Sequence, residues 1–226
     1  MKTRERIIQA SWELFNKHGE RNITTNHIAA HLNISPGNLY YHFRNKEEII
    51  RCIFNLYEQQ LQEHFQPYIA ETVDAELFIS YFDALFDTLW DYRFMYNNLA
   101  DILSRDDNLK TNFQLSQKQW AHQLAQNYIQ LQQDGILNIE EEDIPPLVDT
   151  VIMVANFWIS YKFTQSSSPI GSISKGSLYE GILRVLLLMQ RYAAPGTEKI
   201  FAKTAEYYHS QEMSNKVNEE TRGILE

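Results

Sequence analysis

Apolar side chains recur along this chain at intervals of three and four residues, while residues that interrupt helices are rare. Between Phe78 and Trp90 the apolar positions stand at offsets of 0, 3, 4, 7, 8, 11 and 12. This spacing places them in one stripe along an α helix. Only 8 glycines and 6 prolines occur in 226 residues. The chain is therefore predicted to be all-α.

The same spacing divides the chain into about nine to ten helices. Residues 1–48 are predicted to form a three-helix head, residues 49–210 a helical bundle, and residues 211–226 a polar tail without an apolar stripe. Predicted helices cover Thr3–His18, two short segments within Ile23–Lys46, a span from Lys46 toward Pro67, Phe78–Trp90, Arg93–Leu103, Asp107–Gln133, Leu147–Thr164 and Ser177–Tyr192.

The segment Ile23–Lys46 has the make-up of two short helices joined by a tight turn. Thr24 or Thr25 can cap the first helix, and Asn33 stands where that helix must stop and tolerates a left-handed backbone. Ser35 followed by Pro36 is typical of a helix start. On the second helix Leu39 and Phe43 are predicted to point inward, which leaves Asn38, Tyr41 and His42 facing outward. A surface rich in amide and phenolic groups favours contact with a DNA major groove over a merely solvated face.

At these residues the chain resembles the TetR-type bacterial transcriptional regulators. The resemblance covers about fifty N-terminal residues and is carried by Thr24-Thr25, Ile28-Ala29, Leu32, Ile34-Ser35, Gly37, Leu39-Tyr40, His42-Phe43 and Lys46. It implies a helix-turn-helix head on an all-α body that binds an inducer and pairs with a second subunit.

The resemblance also assigns roles within the head. It implies phosphate contacts by Thr25, Tyr41, His42 and Lys46, and positions at or near base edges for Asn26, Pro36, Gly37, Asn38 and Tyr40, with Ser35 on the same surface. Asn can pair bidentately with adenine, and lysine at a helix start can hold a phosphate. The recognition helix carries no arginine for guanine, so base preference is expected to lean toward A·T.

The charge distribution agrees with this assignment. The net charge is −9, but residues 1–52 hold eight Lys and Arg against five Glu, which is +3 and leaves −12 on the remainder. A basic head on an acidic body suits DNA, because phosphates attract the first and repel the second.

Aromatic residues of the body form a candidate ligand pocket. As single residues they are more simply explained as core, but the family implied by the resemblance holds inducers in the middle of its body. The candidate lining is Phe82, Phe86, Trp90, Phe94, Asn97, Trp120, Phe157 and Tyr161, with Asn97, Asn127, Asn156 or Gln123 as possible hydrogen-bonding groups. Such a lining would suit a flat aromatic or long apolar molecule.

The segments Leu147–Thr164 and Ser177–Tyr192 are apolar around much of their circumference. A helix of this kind needs two surfaces to bury against, and we expect the second surface to be another copy of the chain. The apolar run Leu147–Phe163 is interrupted by Asp149, Asn156 and Lys162 and is shorter than the ~20 residues of a membrane span. No membrane association is expected, and the N-terminus lacks an export signal, so we expect a cytoplasmic protein.

The sequence shows no pattern typical of a catalytic, cofactor-binding or metal-binding site. Cys52 is the single cysteine, which excludes a disulfide framework. His27 and His31 are four residues apart but have no further ligand nearby, so DNA phosphate or solvent contact is favoured over a metal. We expect a homodimeric repressor that an apolar or aromatic inducer releases from a palindromic operator. The alternatives are a regulator of the same fold without a small-molecule ligand and, more remotely, a helical enzyme or carrier.

Overall fold

The computed structural model describes residues 2–64, 72–165 and 174–225, with side chains through residue 215. The described part of the chain is all-α, as predicted, and contains eleven α helices and no strand. The helices are α1 Thr3–His18, α2 Thr25–His31, α3 Pro36–His42, α4 Lys46–His64, α5 Ala75–Asp91, α6 Arg93–Asn97, α7 Leu99–Ser104, α8 Asp107–Gln133, α9 Ile144–Gln165, α10 Lys175–Met189 and α11 Glu198–Leu225.

Two differences account for the higher helix count. The predicted helix Arg93–Leu103 is split at Asn98, whose φ of −141° is not helical, so that α6 and α7 are separate. The last helix, α11, was not predicted, because its sequence has no continuous apolar stripe. Phe201 and Tyr208 nevertheless bury against the body, and the helix continues beyond Ser210 through the segment predicted to be a polar tail.

The head consists of α1, α2 and α3 packed on the first half of α4. Its core contains Ile7, Phe15, Ile28, Leu39 and Phe43, each at most 1% exposed. Helix α4 then continues into the body without interruption and buries Phe54, Tyr57 and Leu61 there. Head and body therefore share one helix, so a movement of the body can reach the head mechanically.

The body is a bundle in which α5, α8, α9, α10 and α11 surround a core rich in aromatic rings. Helices α9 and α10 cross closely at Gly181, where a Cβ atom would meet the Trp158 ring at 3.0 Å. The Trp158 indole also donates to the Ser177 carbonyl at 2.7 Å. This crossing turns one face of α9 and α10 toward the core and leaves the other outside.

Helix α9 is longer than the apolar run that the sequence displays. With the preceding turn it spans Glu141–Gln165, 25 residues, and by length and composition alone it could cross a membrane. The expectation from the sequence that this segment is too short to span a membrane therefore does not apply to the complete helix. Within the described structure α9 packs against α6, α8 and α10, and Lys162 forms an ion pair with Glu180 of α10 at 2.8 Å.

Candidate DNA-reading surface and ligand cavity

The turn between α2 and α3 is built by the local signals that the sequence displays. The Thr24 hydroxyl caps α2 by accepting from the backbone N–H of His27 at 3.3 Å. Asn33 adopts a φ of 54° and redirects the chain. The Ser35 hydroxyl then accepts from the N–H of Asn38 at 3.1 Å, and Pro36 takes the first position of α3. These caps fix the orientation of α3 relative to α2.

Helix α3 presents a polar and phenolic face to the outside. Leu39 and Phe43 are buried as predicted. Of the ten predicted DNA contacts, Thr25, His42 and Lys46 are partly buried, while seven are exposed: Asn26, Ser35, Pro36, Gly37, Asn38, Tyr40 and Tyr41. Tyr41 is 85% exposed. The Tyr40 and Thr25 hydroxyls lie 3.0 Å apart and connect the two helices.

Gly37 has a backbone conformation that other residues can adopt, and it has space around it. A Cβ atom there would meet only the Ser35 hydroxyl, at 3.9 Å. The fold therefore does not require glycine at this position. Close approach to another molecule, such as the wall of a DNA groove, is a physical reason for it.

Lys46 lies at the predicted place, the start of α4, but its ammonium group already has three partners inside the protein. It pairs with the Glu20 carboxylate at 2.7 Å and donates to the carbonyls of Glu20 and Ile23 at 3.0 and 3.1 Å. These contacts hold the α1–α2 connection against α4. A phosphate contact by Lys46 would have to compete with them.

Glu20 is the centre of an ion-pair cluster between head and body. Its carboxylate is 1% exposed and also binds Arg105, at the end of α7, at 2.8 Å. Arg105 further contacts Glu47 and Asp101, both at 3.2 Å. Arg21 binds Asp101 at 2.6 Å, and its hydrogen bond, together with the charge of Arg105, holds the pKa of Asp101 below its ordinary value. We call this set, Glu20, Arg21, Lys46, Glu47, Asp101 and Arg105, the junction cluster.

The short helix α6 makes a second connection between head and body. On the head side, the Asn16 side-chain oxygen of α1 accepts from the Phe94 N–H of α6 at 3.1 Å, and the Trp12 indole and the Asn16 amide donate to the carbonyl of Asp91, the last residue of α5, at 2.5 and 2.6 Å. On the body side, the Ser160 hydroxyl of α9 donates to the Tyr96 carbonyl at 2.7 Å. Helix α6 is therefore held by α1 from one side and by α9 from the other.

Two buried tyrosines attach α6 to α4. The Tyr96 hydroxyl donates to the Tyr57 hydroxyl at 2.6 Å. Burial raises the pKa of both phenols above the ordinary value, so both stay neutral near neutral pH. This hydrogen bond links α6 to the helix that the head and the body share.

An apolar cavity, which we call the main cavity although it is not the largest by volume, lies in the body among α5, α8, α9 and α10. Its volume is about 70 Å³. Among the described residues that line it there is no Lys, Arg, Asp, Glu or His, and the polar groups include Tyr81 and Asn127, which are hydrogen-bonded to each other at 2.8 Å. The lining is Leu77, Phe78, Tyr81, Phe82, Leu85, Trp120, Leu124, Asn127, Tyr128, Leu131, Val151, Ile152, Ala155, Val185 and Met189.

The structure does not bring the eight predicted ligand residues together. Phe82 and Trp120 line the main cavity, and Phe82 and Phe86 line an adjoining one. Trp90, Phe94 and Asn97 surround a separate space of about 10 Å³ beside α1. Phe157 and Tyr161 lie on the outer face of α9, 49% and 52% exposed. Helical spacing does not reveal which side of a doubly apolar helix faces the core, so these residues could not be separated from the sequence.

A more polar cavity of about 140 Å³ lies on the α4 side of Trp120, between α4 and α8. Glu58 and Ser116 are among its lining residues. Partial burial raises the pKa of the Glu58 carboxyl above its ordinary value, although a hydrogen bond with Ser116 opposes the shift. Glu58 was not among the residues predicted to line a pocket.

The comparisons with known proteins agree with this arrangement of head and body. A family model described as "Bacterial regulatory proteins, tetR family" matches residues 7–53. A second, described as "Bacterial transcriptional repressor" and named TetR, matches residues 56–201, which is more than half of the chain. The chain belongs to the TetR family. This family consists of DNA-binding transcriptional regulators and not of enzymes.

Several individual proteins are similar to this TetR-family chain. A TetR-family transcriptional regulator from Marinobacter aquaeolei VT8 is 36% identical, with a TM-score of 0.81 over 92% of this chain and 99% of that one. The regulator QacR of Staphylococcus aureus is 38% identical over 66 residues, 29% of this chain and 35% of QacR. The matched segment thus spans about a third of this curated relative. SmeT, solved as a triclosan complex, has the same fold at 17% identity, with a TM-score of 0.54 over 86% of this chain and 93% of SmeT.

The outer face of α9 and α10 carries exposed apolar side chains in this TetR-family body. Met153, Phe157 and Tyr161 repeat every four residues along α9, and Leu187 belongs to α10. All four are between 49% and 56% exposed. We call these four residues the outer patch. A stripe of this kind on two adjacent helices is unusual for a surface that stays in water.

Sequence analysis missed the junction cluster, although its members are visible as charges. Glu20 and Arg105 are 85 residues apart, and no local pattern signals that they meet. His27, in contrast, was noted as a weak metal candidate, and its ring nitrogen accepts from the N–H of Thr24 at 3.3 Å. That contact gives His27 a role in capping α2.

Proposed function

We propose that this TetR-family regulator is a cytoplasmic repressor that binds a roughly palindromic operator as a homodimer and is released by a small apolar or aromatic molecule. The observation that carries the DNA-binding part is the outer face of α3. Gly37, Asn38 and Tyr41 are exposed there, and a Cβ atom at Gly37 would meet only the Ser35 hydroxyl, at 3.9 Å. A capped, rigidly held helix with such a face fits a major groove.

Operator binding can be tested by selecting bound sequences from a random DNA pool and measuring affinity at several salt concentrations. We expect an inverted repeat, and a logarithm of the binding constant that falls linearly with the logarithm of salt, by about 0.9 for each neutralised phosphate. Tyr41→Ala should weaken binding, whereas Lys118→Ala, an exposed change on α8, should not. Failure to enrich any sequence would contradict the proposal.

The outer patch supports the homodimer. A second copy related by a two-fold axis would place the α9 and α10 faces of both subunits against each other and remove four large apolar side chains per subunit from water. Two heads held at one fixed distance can then read two half-sites in successive major grooves.

The main cavity supports an apolar inducer. Its described lining is mostly aliphatic and aromatic and includes no charged side chain, so an uncharged apolar molecule would enter with the smallest desolvation penalty. SmeT, which shares the fold, is solved with triclosan. At about 70 Å³ the cavity is smaller than the roughly 300–1,000 Å³ of typical ligand sites. A ligand would therefore have to move the surrounding helices apart.

The movement of helices that this expansion requires can be transmitted to the DNA-binding head. Helix α9 lines the cavity and also holds α6 through Ser160, and α6 contacts α1 and α4. An inducer acts only if it binds the expanded arrangement better than the contracted one. The favoured head separation would then no longer match the spacing of the two half-sites.

Filling the cavity tests the inducer. Ala155 lines both apolar cavities, so Ala155→Leu should reduce the thermal stabilisation by apolar compounds and the release from operator that they cause. Ala100→Leu, at an exposed position, is the matched control. Binding of the ligand to the native state raises Tm by mass action. Equal responses of the two variants would place the inducer elsewhere.

The small volume of the cavity favours one alternative, a regulator of the same family whose body binds no small molecule. In that case no member of a panel of apolar compounds should raise Tm or release the operator, while operator binding itself is retained.

A further inference from the structure

A buried amide pair joins α8 to α9 and is only half satisfied. The Asn156 amide nitrogen donates to the Gln117 side-chain oxygen at 2.7 Å, and Asn156 is 5% exposed. The Gln117 amide nitrogen and the Asn156 side-chain oxygen are both buried without a hydrogen-bond partner among the described residues. A buried donor or acceptor without a partner destabilises the protein, so the presence of both in one amide pair needs a physical explanation.

The pair lies one helical turn beyond the main cavity. Helices α8 and α9 are joined by a short connection and run antiparallel. Trp120 of α8 and Ile152 of α9 line the cavity, while Gln117 precedes Trp120 by three residues and Asn156 follows Ile152 by four. Residues three and four apart share a helix face. The cavity and the amide pair are therefore successive layers of the same α8–α9 contact.

We propose that this pair is a polar subsite for the head group of the cavity's ligand, and that the head group is an uncharged carboxamide on an apolar body. Gln117 would donate its free N–H to the carboxamide oxygen, and the carboxamide N–H would donate to the free oxygen of Asn156. This rests on the proposed function, because it requires that the cavity bind a ligand.

The two unpaired atoms restrict which chemical groups can bind at this subsite. One is a donor and the other an acceptor, so a group with both functions side by side satisfies them together. An ester offers acceptors only and leaves the Asn156 oxygen unpaired. A quaternary ammonium group brings a charge into a region whose cavity lining has no carboxylate, where desolvation disfavours it.

Three probes with the same ten-carbon chain test the subsite on the full-length protein: decanamide, methyl decanoate and decyltrimethylammonium. Calorimetric titration should give decanamide an affinity about fivefold above that of methyl decanoate, since the amide gains one hydrogen bond more than the ester, and a net hydrogen bond contributes about 1 kcal/mol. Decyltrimethylammonium should bind most weakly.

The variant Asn156→Leu should bring decanamide down to the affinity of methyl decanoate and leave the ester unchanged. Asn108→Leu, an exposed change on α8, should keep the preference. If Asn156→Leu fails to fold, Gln117→Met removes the donor to the ligand carbonyl and should weaken the binding of decanamide and methyl decanoate alike. Equal binding of amide and ester by the unaltered protein would refute the subsite and keep the ligand cavity. Binding of no probe would overturn both.

Discussion

Gly37, Asn38 and Tyr41 occupy the outer side of α3, and the protein around them does not require these residues. Gly37 has room for a Cβ atom, and Tyr41 is 85% exposed. Residues of this kind are the ones for which stability and DNA binding can be separated by substitution. Lys46 is of the opposite kind, because its ammonium group donates to two backbone carbonyls and pairs with the buried Glu20 carboxylate.

Gly37→Ala should weaken operator binding while the free energy of unfolding stays equal or rises by about 0.4–1 kcal/mol. The added methyl group stands on the groove side, and replacing glycine in a helix lowers the entropy of the unfolded chain. Fluorescence anisotropy with labelled operator and denaturant titration measure the two effects. Unchanged operator affinity would mean that the backbone of α3 does not approach the DNA at this position.

Lys46→Met separates a structural role from a phosphate contact. From the structure we expect a loss of about 2 kcal/mol in the free energy of unfolding, because Glu20 is buried and would lose one of its two cationic partners. If Lys46 instead binds phosphate, the salt dependence of operator affinity becomes flatter by about one contact. Lys17→Met, on the exposed side of α1, is the control for the charge alone.

At the scale of elements, the head is attached to the body in three ways: through the continuous helix α4, through α6 and through the junction cluster. The last two include hydrogen bonds and ion pairs between elements distant in sequence, together with ring contacts of Trp12 with Tyr92 and of Phe15 with Phe94. Contacts of this kind can be exchanged without unfolding either part, which is what a transmitted movement needs.

Arg105→Gln should loosen the head from the body. Arg105 is the body residue that contacts Glu20, and its loss leaves that carboxylate to Lys46. We expect operator affinity to fall by about fivefold, corresponding to a coupling of about 1 kcal/mol, and hydrogen exchange in α2 and α3 to become faster. Arg191→Gln is the control, since Arg191 is exposed. Unaltered exchange and affinity in Arg105→Gln would assign the coupling to α4 and α6.

On the scale of the whole molecule, the proposed pairing through the outer patch would determine whether one head or two can act on DNA. A single head contacts one half-site, whereas a dimer contacts both and gains the second contact at a high effective concentration. Because α9 contributes both to the main cavity and to the outer patch, the proposed dimer contact and the proposed ligand would act on the same helix.

Phe157→Glu should convert the dimer into monomers and reduce operator affinity by at least about tenfold, because a charge in an apolar interface stays unpaired on assembly. Sedimentation equilibrium measures the mass, and binding to a single half-site should be retained. Leu115→Glu, on α8 with 55% exposure, places the same charge on another surface and should have no effect. A monomeric unaltered protein would contradict the proposed dimer.

Local sequence signals determined the helices and the outer face of α3. Thr24, Asn33, Ser35 and Pro36 act on backbone groups within a few residues, so their effects can be inferred without knowing the fold. The inward direction of Leu39 and Phe43 follows from helical spacing alone. For the same reason, the all-α class, the bounds of α1 and α8 and the outward face of α3 were predictable.

Only the tertiary structure decided which surfaces meet. Phe157 is exposed, whereas Trp120 lines the main cavity. Lys46 and Arg105 both form ion pairs with Glu20. The spacing of apolar residues shows that a helix face is apolar but not which element packs on it. A charged residue in the sequence likewise does not show which residue it will pair with. Those choices depend on contacts between residues far apart in the chain, made only when the helices pack.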